Sequence, residues 1–341
     1  MVLLDMHRKY LTLLLAGVLS VFYAEVLSGA SILWFLDPFG YIILLPLYMF
    51  HLIVLYNIAV RFQRLSPKAL YMFGVIFGMY ETWITKVAWA GFSASEKPMF
   101  GRFLGFAVGE LGIVTFFWHP FMSFIAPIVT LQILSASAGN KESLSYPWTT
   151  SFLSKRKINL FFYFAIAFFS ASAVALNSNL NIVVALVGFL GTLSIVYTLY
   201  RAIIGTNPKL LSLDNLIIGK KAFVFMLVYL GAIYGLFFVS VRTEAIPSTP
   251  TILLTILFYV FLILLIYAEK SSNLEKNLES EYFGARDLTN FYILIFVLIV
   301  LFMVLTELFL VVFFVLFLVF VMLGYVIFFY TVIGIVRGRI P

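Results

Sequence analysis

The chain has 341 residues, of which 63% are hydrophobic and only 11% are charged, and its mean hydropathy is +1.10. This composition leaves too little polar surface to cover a water-soluble globule, so the sequence predicts an integral membrane protein. It also contains no cysteine, which excludes a catalytic thiol, disulfide bonds, thiolate metal ligands and iron–sulfur clusters.

Ten apolar runs follow one another along the chain. A helix rises about 1.5 Å per residue, so roughly 20 apolar residues cross the hydrocarbon core of a bilayer. Runs of about this length or longer lie at 10–28, 38–60, 69–92, 103–134, 158–176, 180–204, 219–241, 250–268, 288–308 and 310–336. The last two are interrupted only at Thr306 and Glu307, where we expect a tight hairpin.

The basic residues predict the orientation of these spans, because Lys and Arg accumulate in short cytoplasmic loops. A cytoplasmic N-terminus places 18 of the 22 basic residues on the cytoplasmic side and only Lys97, Arg102 and Arg242 outside, while Lys86 lies within a span. Both termini are therefore predicted to be cytoplasmic, with the plasma membrane as the expected location. This topology and the lipid headgroups account for the net charge of +7, so the charge indicates no nucleic-acid partner.

The expected fold is all-α, a polytopic membrane helix bundle of about ten transmembrane helices that forms a single domain over residues 1–341. Polarity divides this domain into a polar half of four helices, residues 1–135, and an apolar half of six, residues 158–341. The longest loops, 135–157 and 269–287, are predicted to be cytoplasmic. In the second loop, the spacing of Leu274 and Leu278 predicts a short surface helix.

Six ionisable residues lie in or at the ends of the first four spans: Glu25, His51, Glu81, Lys86, Glu110 and His119. An ionisable group inside a membrane is costly and normally faces the protein interior or a cavity, so it marks a candidate functional site. Counting along the helices places Glu81, His51 and His119 in a central tier and the other three in an outer tier.

The third span holds Glu81 and Lys86 on different faces. Five residues place them about 140° apart on a helix, so each needs a partner on another helix. For Lys86 the expected partner is Glu110 or Glu25, and for Glu81 it is His51 or His119. A stripe of small residues beside Glu81 predicts close helix packing and directs Glu81 into the bundle; the stripe is formed by Gly74, Gly78, Thr85 and Ala88.

The fourth span contains "FFWHPFMSF", in which Pro120 removes a backbone donor and is expected to kink the helix. Gly112, Thr115, His119 and Ser123 share one polar face of this span. We expect His119, rather than Glu110, to face a cavity.

A structural role remains an alternative for each of these residues. Lys86 would then belong to an ion pair, His51 would bond a neighbouring carbonyl, and Glu25 would be an interfacial carboxylate. Glu81 is the hardest to explain by packing alone, because it lies near mid-membrane. No zinc, P-loop or nucleophile-elbow motif is present in the sequence.

Three functional hypotheses follow. Ten spans and short loops favour a secondary transporter whose chamber binds protons and a small solute or lipid through Glu81, His51, His119, Thr85, Lys86, Glu110 and Glu25. The concentration of polar groups in one half favours an intramembrane enzyme, with a metal held by His51, His119 and Glu81, or with Glu81 as general base toward a lipid or peptide. In the third hypothesis the protein is a subunit whose C-terminal hairpin docks a membrane-protein partner. The sequence requires no cofactor.

Overall fold

The fold is taken from a computed structural model that describes residues 2–93, 97–146, 148–154, 160–269 and 282–338, with side chains from residue 9 onward except at residue 150. The surface helix predicted around Leu274 and Leu278 lies outside these residues.

Helices form most of the described chain. The α-helices are α1 (Val2–Val21), α2 (Leu45–Arg61), α3 (Pro67–Gly78), α4 (Val87–Ala90), α5 (Val108–Glu110), α6 (Ala126–Ser137), α7 (Thr149–Phe152), α8 (Leu160–Asn177), α9 (Ile182–Ile204), α10 (Lys220–Ser240), α11 (Thr249–Ala268), α12 (Ala285–Val304) and α13 (Thr306–Arg337). Wider π-helical turns occupy Phe22–Val26, Gly40–Leu44, Glu81–Thr85 and Leu111–Ile125, and a two-stranded antiparallel hairpin joins β1 (Arg102–Phe103) to β2 (Phe106–Ala107). Short 3-10 helices lie at Trp34–Leu36, Lys141–Ser145, Pro208–Leu211, Leu213–Leu216 and Thr243–Ala245.

In the part of the chain that the structure describes, nine helices are long and apolar enough to cross a membrane. They are Lys9–Val26, Gly40–Arg61, Val108–Ser137, Leu160–Asn177, Ile182–Ile204, Lys220–Ser240, Thr249–Ala268, Ala285–Val304 and Thr306–Arg337. The predicted all-α membrane bundle is therefore confirmed. Nine of the ten predicted spans correspond to these helices.

The third predicted span, 69–92, differs because its helix is broken. Helix α3 ends at Gly78, a π-helical turn follows at Glu81–Thr85, and α4 covers only Val87–Ala90. Between the last two, Lys86 has φ +59°. A side chain in this left-handed region cannot continue a right-handed helix, so the expected continuous span is a discontinuous helix instead.

The last apolar run divides where it was predicted to divide. Helix α12 ends at Val304 and α13 begins at Thr306. Helix α13 is longer than its predicted span and covers 32 residues.

The described chain belongs to two compact units, each assembled from three segments. The first contains Met1–Tyr56, Ala126–Ile218 and Asn273–Leu316, and the second contains Asn57–Ile125, Gly219–Ser272 and Phe317–Pro341. This division differs from the one drawn on polarity at residues 135 and 158, since each unit takes segments from both halves.

In the first unit, α1 packs against α6 and α9, and α8 packs against α12. Buried aromatic residues join these helices. The Phe22 ring contacts Phe189 and Tyr292 at centroid distances of 5.8 and 5.5 Å. The Tyr23 hydroxyl lies 2.6 Å from those of Thr130 and Tyr292, so the polar ends of these rings are satisfied inside the core.

In the second unit, α3 packs closely along the π-helical segment Leu111–Ile125. A Cβ atom at Gly74 would lie 2.5 Å from Cα of Pro120, and one at Gly78 would lie 3.0 Å from Cα of Thr115. The absence of side chains at these two positions lets the backbones meet, as the small-residue stripe predicts. This contact sets the distance between the two segments that carry Glu81 and His119.

Candidate functional site

Glu81 begins the π-helical turn that follows the end of α3, and the residue is buried, with 7% exposure. One turn later, the Thr85 hydroxyl donates a hydrogen bond to Glu81 Oε2. The carboxylate therefore lies at the break in the helix, with one of its oxygens already engaged by its own segment.

His119 supplies the partner of the other carboxylate oxygen. Its Nε2 lies 3.2 Å from Glu81 Oε1, and its Nδ1 lies 2.5 Å from the Ser123 hydroxyl. The imidazole stacks on Phe77 and meets the edge of Tyr80, with centroids at 6.1 and 4.9 Å. His119 is 4% exposed and Ser123 is fully buried, so aromatic and helical groups enclose the contact.

The π-helical backbone around His119 follows from its sequence neighbour. Pro120 lies inside this segment and has no N–H to donate to the preceding turn. Wider turns of this type often occur at functional sites, because they change the direction in which side chains project.

These contacts form one continuous series, which we name the Glu81 chain: Thr85, Glu81, His119 and Ser123. When neutral His119 carries its proton on Nε2, it donates to Glu81 and accepts from the Ser123 hydroxyl. When His119 is protonated on both nitrogens, Nδ1 donates and the Ser123 hydroxyl must turn away. The Glu81 chain can therefore hold one proton and pass it between the Glu81 carboxylate and the His119 imidazole.

Lys86 has a different environment. Its side chain is fully buried, and its Nζ donates to the carbonyl oxygens of Phe237 and Val241, with the Phe238 ring 5.5 Å away. Phe237 lies in the last turn of α10, and Val241 directly follows the helix; the Phe237 carbonyl also accepts from the Val241 amide. Carbonyl groups at the C-terminal end of a helix favour a cation. The predicted pairing of Lys86 with Glu110 or Glu25 is wrong, because backbone carbonyls take the place of a carboxylate.

Arg242 makes the reciprocal contact. It follows α10, and its Nη1 donates to the carbonyls of Gly91 and Thr85 at 2.8 and 3.2 Å. Lys86 thus caps the end of α10, while Arg242 binds carbonyls of the broken span. We name this pair of contacts the Lys86–Arg242 clasp, and it holds the break in a fixed geometry.

The other predicted site residues have contacts of their own. In the first unit, Glu25 is buried and accepts a hydrogen bond from Tyr48, and His51 Nδ1 lies 2.8 Å from the Leu47 carbonyl. The His51 contact is the bond to a neighbouring carbonyl that its structural alternative predicts, whereas the interfacial role of Glu25 and the site roles of both residues stay predictions. In the second unit, Glu110 Oε1 accepts from the Met99 amide at 3.2 Å.

No group of three His, Cys, Asp or Glu side chains is placed to hold a metal ion among the residues that the structure describes. The metal ligand set suggested from the sequence takes His51 from the first unit and Glu81 and His119 from the second, and it stays a prediction. The structure brings together Glu81 and His119, with Thr85.

Two residues of the Glu81 chain and the Lys86–Arg242 clasp were not selected from the sequence. Ser123 was placed on the polar face of its helix but was not chosen as a site residue, although its spacing of four from His119 indicates a contact. Arg242 was counted only as a loop residue, and no sequence signal reveals that it binds backbone carbonyls.

The chain belongs to a family described as an uncharacterized membrane protein family, whose model matches residues 14–339. A protein of Archaeoglobus fulgidus, described as an uncharacterized protein, is 36% identical to it over 138 residues. That match covers 38% of this chain and 40% of the relative, so the matched region spans less than half the length of either protein. No solved structure matches the chain.

Proposed function

We propose that this member of the family is a secondary transporter that couples the movement of a small solute to protons, with the Glu81 chain as its proton site. The observation that carries the proposal is the buried 3.2 Å contact between Glu81 Oε1 and His119 Nε2 at the break of a membrane helix. Discontinuous helices commonly form the substrate and ion sites of transporters, because their unwound backbone supplies polar groups within the membrane.

Each residue of the Glu81 chain has a defined role in this proposal. Glu81 accepts the coupling proton, His119 exchanges it, and the hydroxyl groups of Thr85 and Ser123 orient the two titrating side chains. Protonation of the pair changes the hydrogen bond between His119 and Ser123, which lies in the segment packed against α3. Binding of a proton is thereby linked to the packing of the Leu111–Ile125 segment against α3. We also propose that the protein lies in the plasma membrane and that both of its termini are cytoplasmic.

The test uses protein reconstituted in liposomes that contain a pH-sensitive dye. Pools of amino acids, sugars and organic acids are applied outside in turn, and the internal pH is recorded. We expect one pool to cause a pH change that Glu81→Gln abolishes. The matched control is Glu307→Gln, which alters an exposed carboxylate at the start of α13 and leaves the response intact. A response that survives Glu81→Gln unchanged contradicts the proposal.

A second candidate function rests on the order of the same groups. The Ser123 hydroxyl contacts His119, which contacts the Glu81 carboxylate, as the nucleophile, base and carboxylate do in serine hydrolases. An intramembrane hydrolase acting on a lipid or peptide would use this arrangement. A fluorophosphonate probe is expected to label the protein, but not Ser123→Ala, if this candidate is right. If the protein in its native membrane is not labelled, Ser123 is not a nucleophile and this candidate is excluded.

A further inference from the structure

An apolar groove of about 600 Å³ lies between α9 and α12 in the first unit. Its walls include Leu190, Leu193 and Tyr197 of α9 and Leu288, Ile293 and Phe296 of α12. The volume is within the range of small-molecule binding sites. Leu190, Tyr197 and Ile293 remain exposed, so the groove opens to the outside of the unit, where a membrane protein meets acyl chains.

Two arginines continue the walls of this groove along the helices. Arg201 follows Tyr197 by one helical turn, and its guanidinium carbon lies 5.9 Å from the Tyr197 ring centroid. Arg286 precedes Thr289, another wall residue, by three positions on α12. Residues three or four apart share a helix face, so both arginines extend the groove.

Both arginines lie at the same end of the first unit. The Asn140 side chain, just after α6, donates to the Pro208 carbonyl, just after α9, at 2.6 Å. Near the start of α12, Leu288 packs with Ile133 of α6 and with Leu144. The end of α9 and the start of α12 therefore meet beside the end of α6, which the basic residues predict to be the cytoplasmic side.

We infer that this groove binds an anionic phospholipid, with an acyl chain along the apolar walls and the phosphate held by Arg201 and Arg286. Guanidinium groups bind phosphate oxygens through paired charge-assisted hydrogen bonds. Within the described residues neither arginine has an acidic partner, and the neighbouring Asp287 carboxylate accepts from the Gly284 amide. The apolar walls favour a lipid over free phosphate. The inference is independent of the proposed transport activity.

The experiment is native mass spectrometry of the full chain in detergent, titrated with phosphatidylglycerol or with phosphatidylcholine of the same acyl chains. We expect preferential binding of the anionic lipid. The double variant Arg201→Gln with Arg286→Gln is expected to weaken that binding about thirtyfold, because two basic groups near a lipid phosphate are lost. It leaves phosphatidylcholine binding unchanged. Leu193→Trp fills the groove and weakens both lipids.

Two controls make the result decisive. Lys220→Gln with Lys221→Gln removes the same charge from exposed positions in the second unit and is expected to leave both affinities unchanged. Arg201→Lys with Arg286→Lys keeps the charge and is expected to retain most of the preference for phosphatidylglycerol. An equal loss in the Lys220/Lys221 control, or unchanged binding after the double arginine-to-glutamine change, overturns the inference. Unchanged binding after Leu193→Trp places the lipid outside the groove.

Discussion

Glu81 and Lys86 are five residues apart at the same helix break, and both are buried, yet their surroundings differ in kind. The Lys86 ammonium is held by two backbone carbonyls, which never change their charge. The Glu81 carboxylate contacts a hydroxyl group and an imidazole, and an imidazole can take up and release a proton. Depth in the membrane therefore does not decide the role of a charge; the chemistry of its partners does.

Among the variants that test this comparison, Lys86→Met is expected to change stability the most. It removes two charge-assisted hydrogen bonds from a buried ammonium at the end of α10, so the free energy of unfolding should fall by about 3 kcal/mol. Titration with a denaturing detergent in mixed micelles measures the change.

Lys97→Met is the matched control, because it removes an exposed lysine from the same unit and should leave stability unaltered. Adding Glu110→Gln to Lys86→Met should restore nothing, since Glu110 bonds the Met99 amide instead. If Glu110→Gln restored stability, Lys86 and Glu110 would form an ion pair, and the Lys86–Arg242 clasp would not describe the partners of Lys86.

The next effect concerns the packing that places Glu81 beside His119. Gly74→Ala puts a methyl group 2.5 Å from Cα of Pro120, and such overpacking should cost about 2 kcal/mol. Gly231→Ala on α10 meets nothing within 4 Å and should change stability by no more than about 1 kcal/mol, in the favourable direction. The same detergent titration measures both variants. Equal stabilities would mean that the close approach of α3 to Pro120 does not contribute to stability.

The smallest expected effect on stability comes from Glu81→Gln. The amide keeps the shape of the carboxylate and can donate to His119 Nε2 when the imidazole adopts its other tautomer, so the loss should be about 1 kcal/mol or less. The detergent titration should therefore give nearly the wild-type midpoint, although the proposed proton-coupled transport should be lost. A loss as large as that of Lys86→Met would make Glu81 a structural residue like Lys86.

Composition and apolar periodicity were enough to predict the membrane bundle, nine of its spans and the division of the last run. The stripe that contains Gly74 and Gly78 correctly indicated a face of close helix packing. The central tier gave two candidate partners for Glu81, His51 and His119, of which His119 makes the contact. These features depend on residue type and spacing, which the sequence shows directly.

The partner of Lys86 could not be predicted in the same way. The angle between Glu81 and Lys86 was taken from a straight helix, but Lys86 has φ +59° and ends that helix. Its partners are backbone carbonyls, which every residue carries, so no residue type marks them. The search for an opposite charge led to Glu110 and Glu25 for this reason.

The central claim is that Glu81 belongs to a proton site and Lys86 does not. Infrared difference spectra recorded between two pH values, on protein in lipid, report carboxylate protonation directly. We expect a carboxylate signal that disappears in Glu81→Gln, shifts in His119→Gln and persists in Lys86→Met measured below its unfolding midpoint. Spectra unaltered by Glu81→Gln, or altered as strongly by Lys86→Met, would contradict the account.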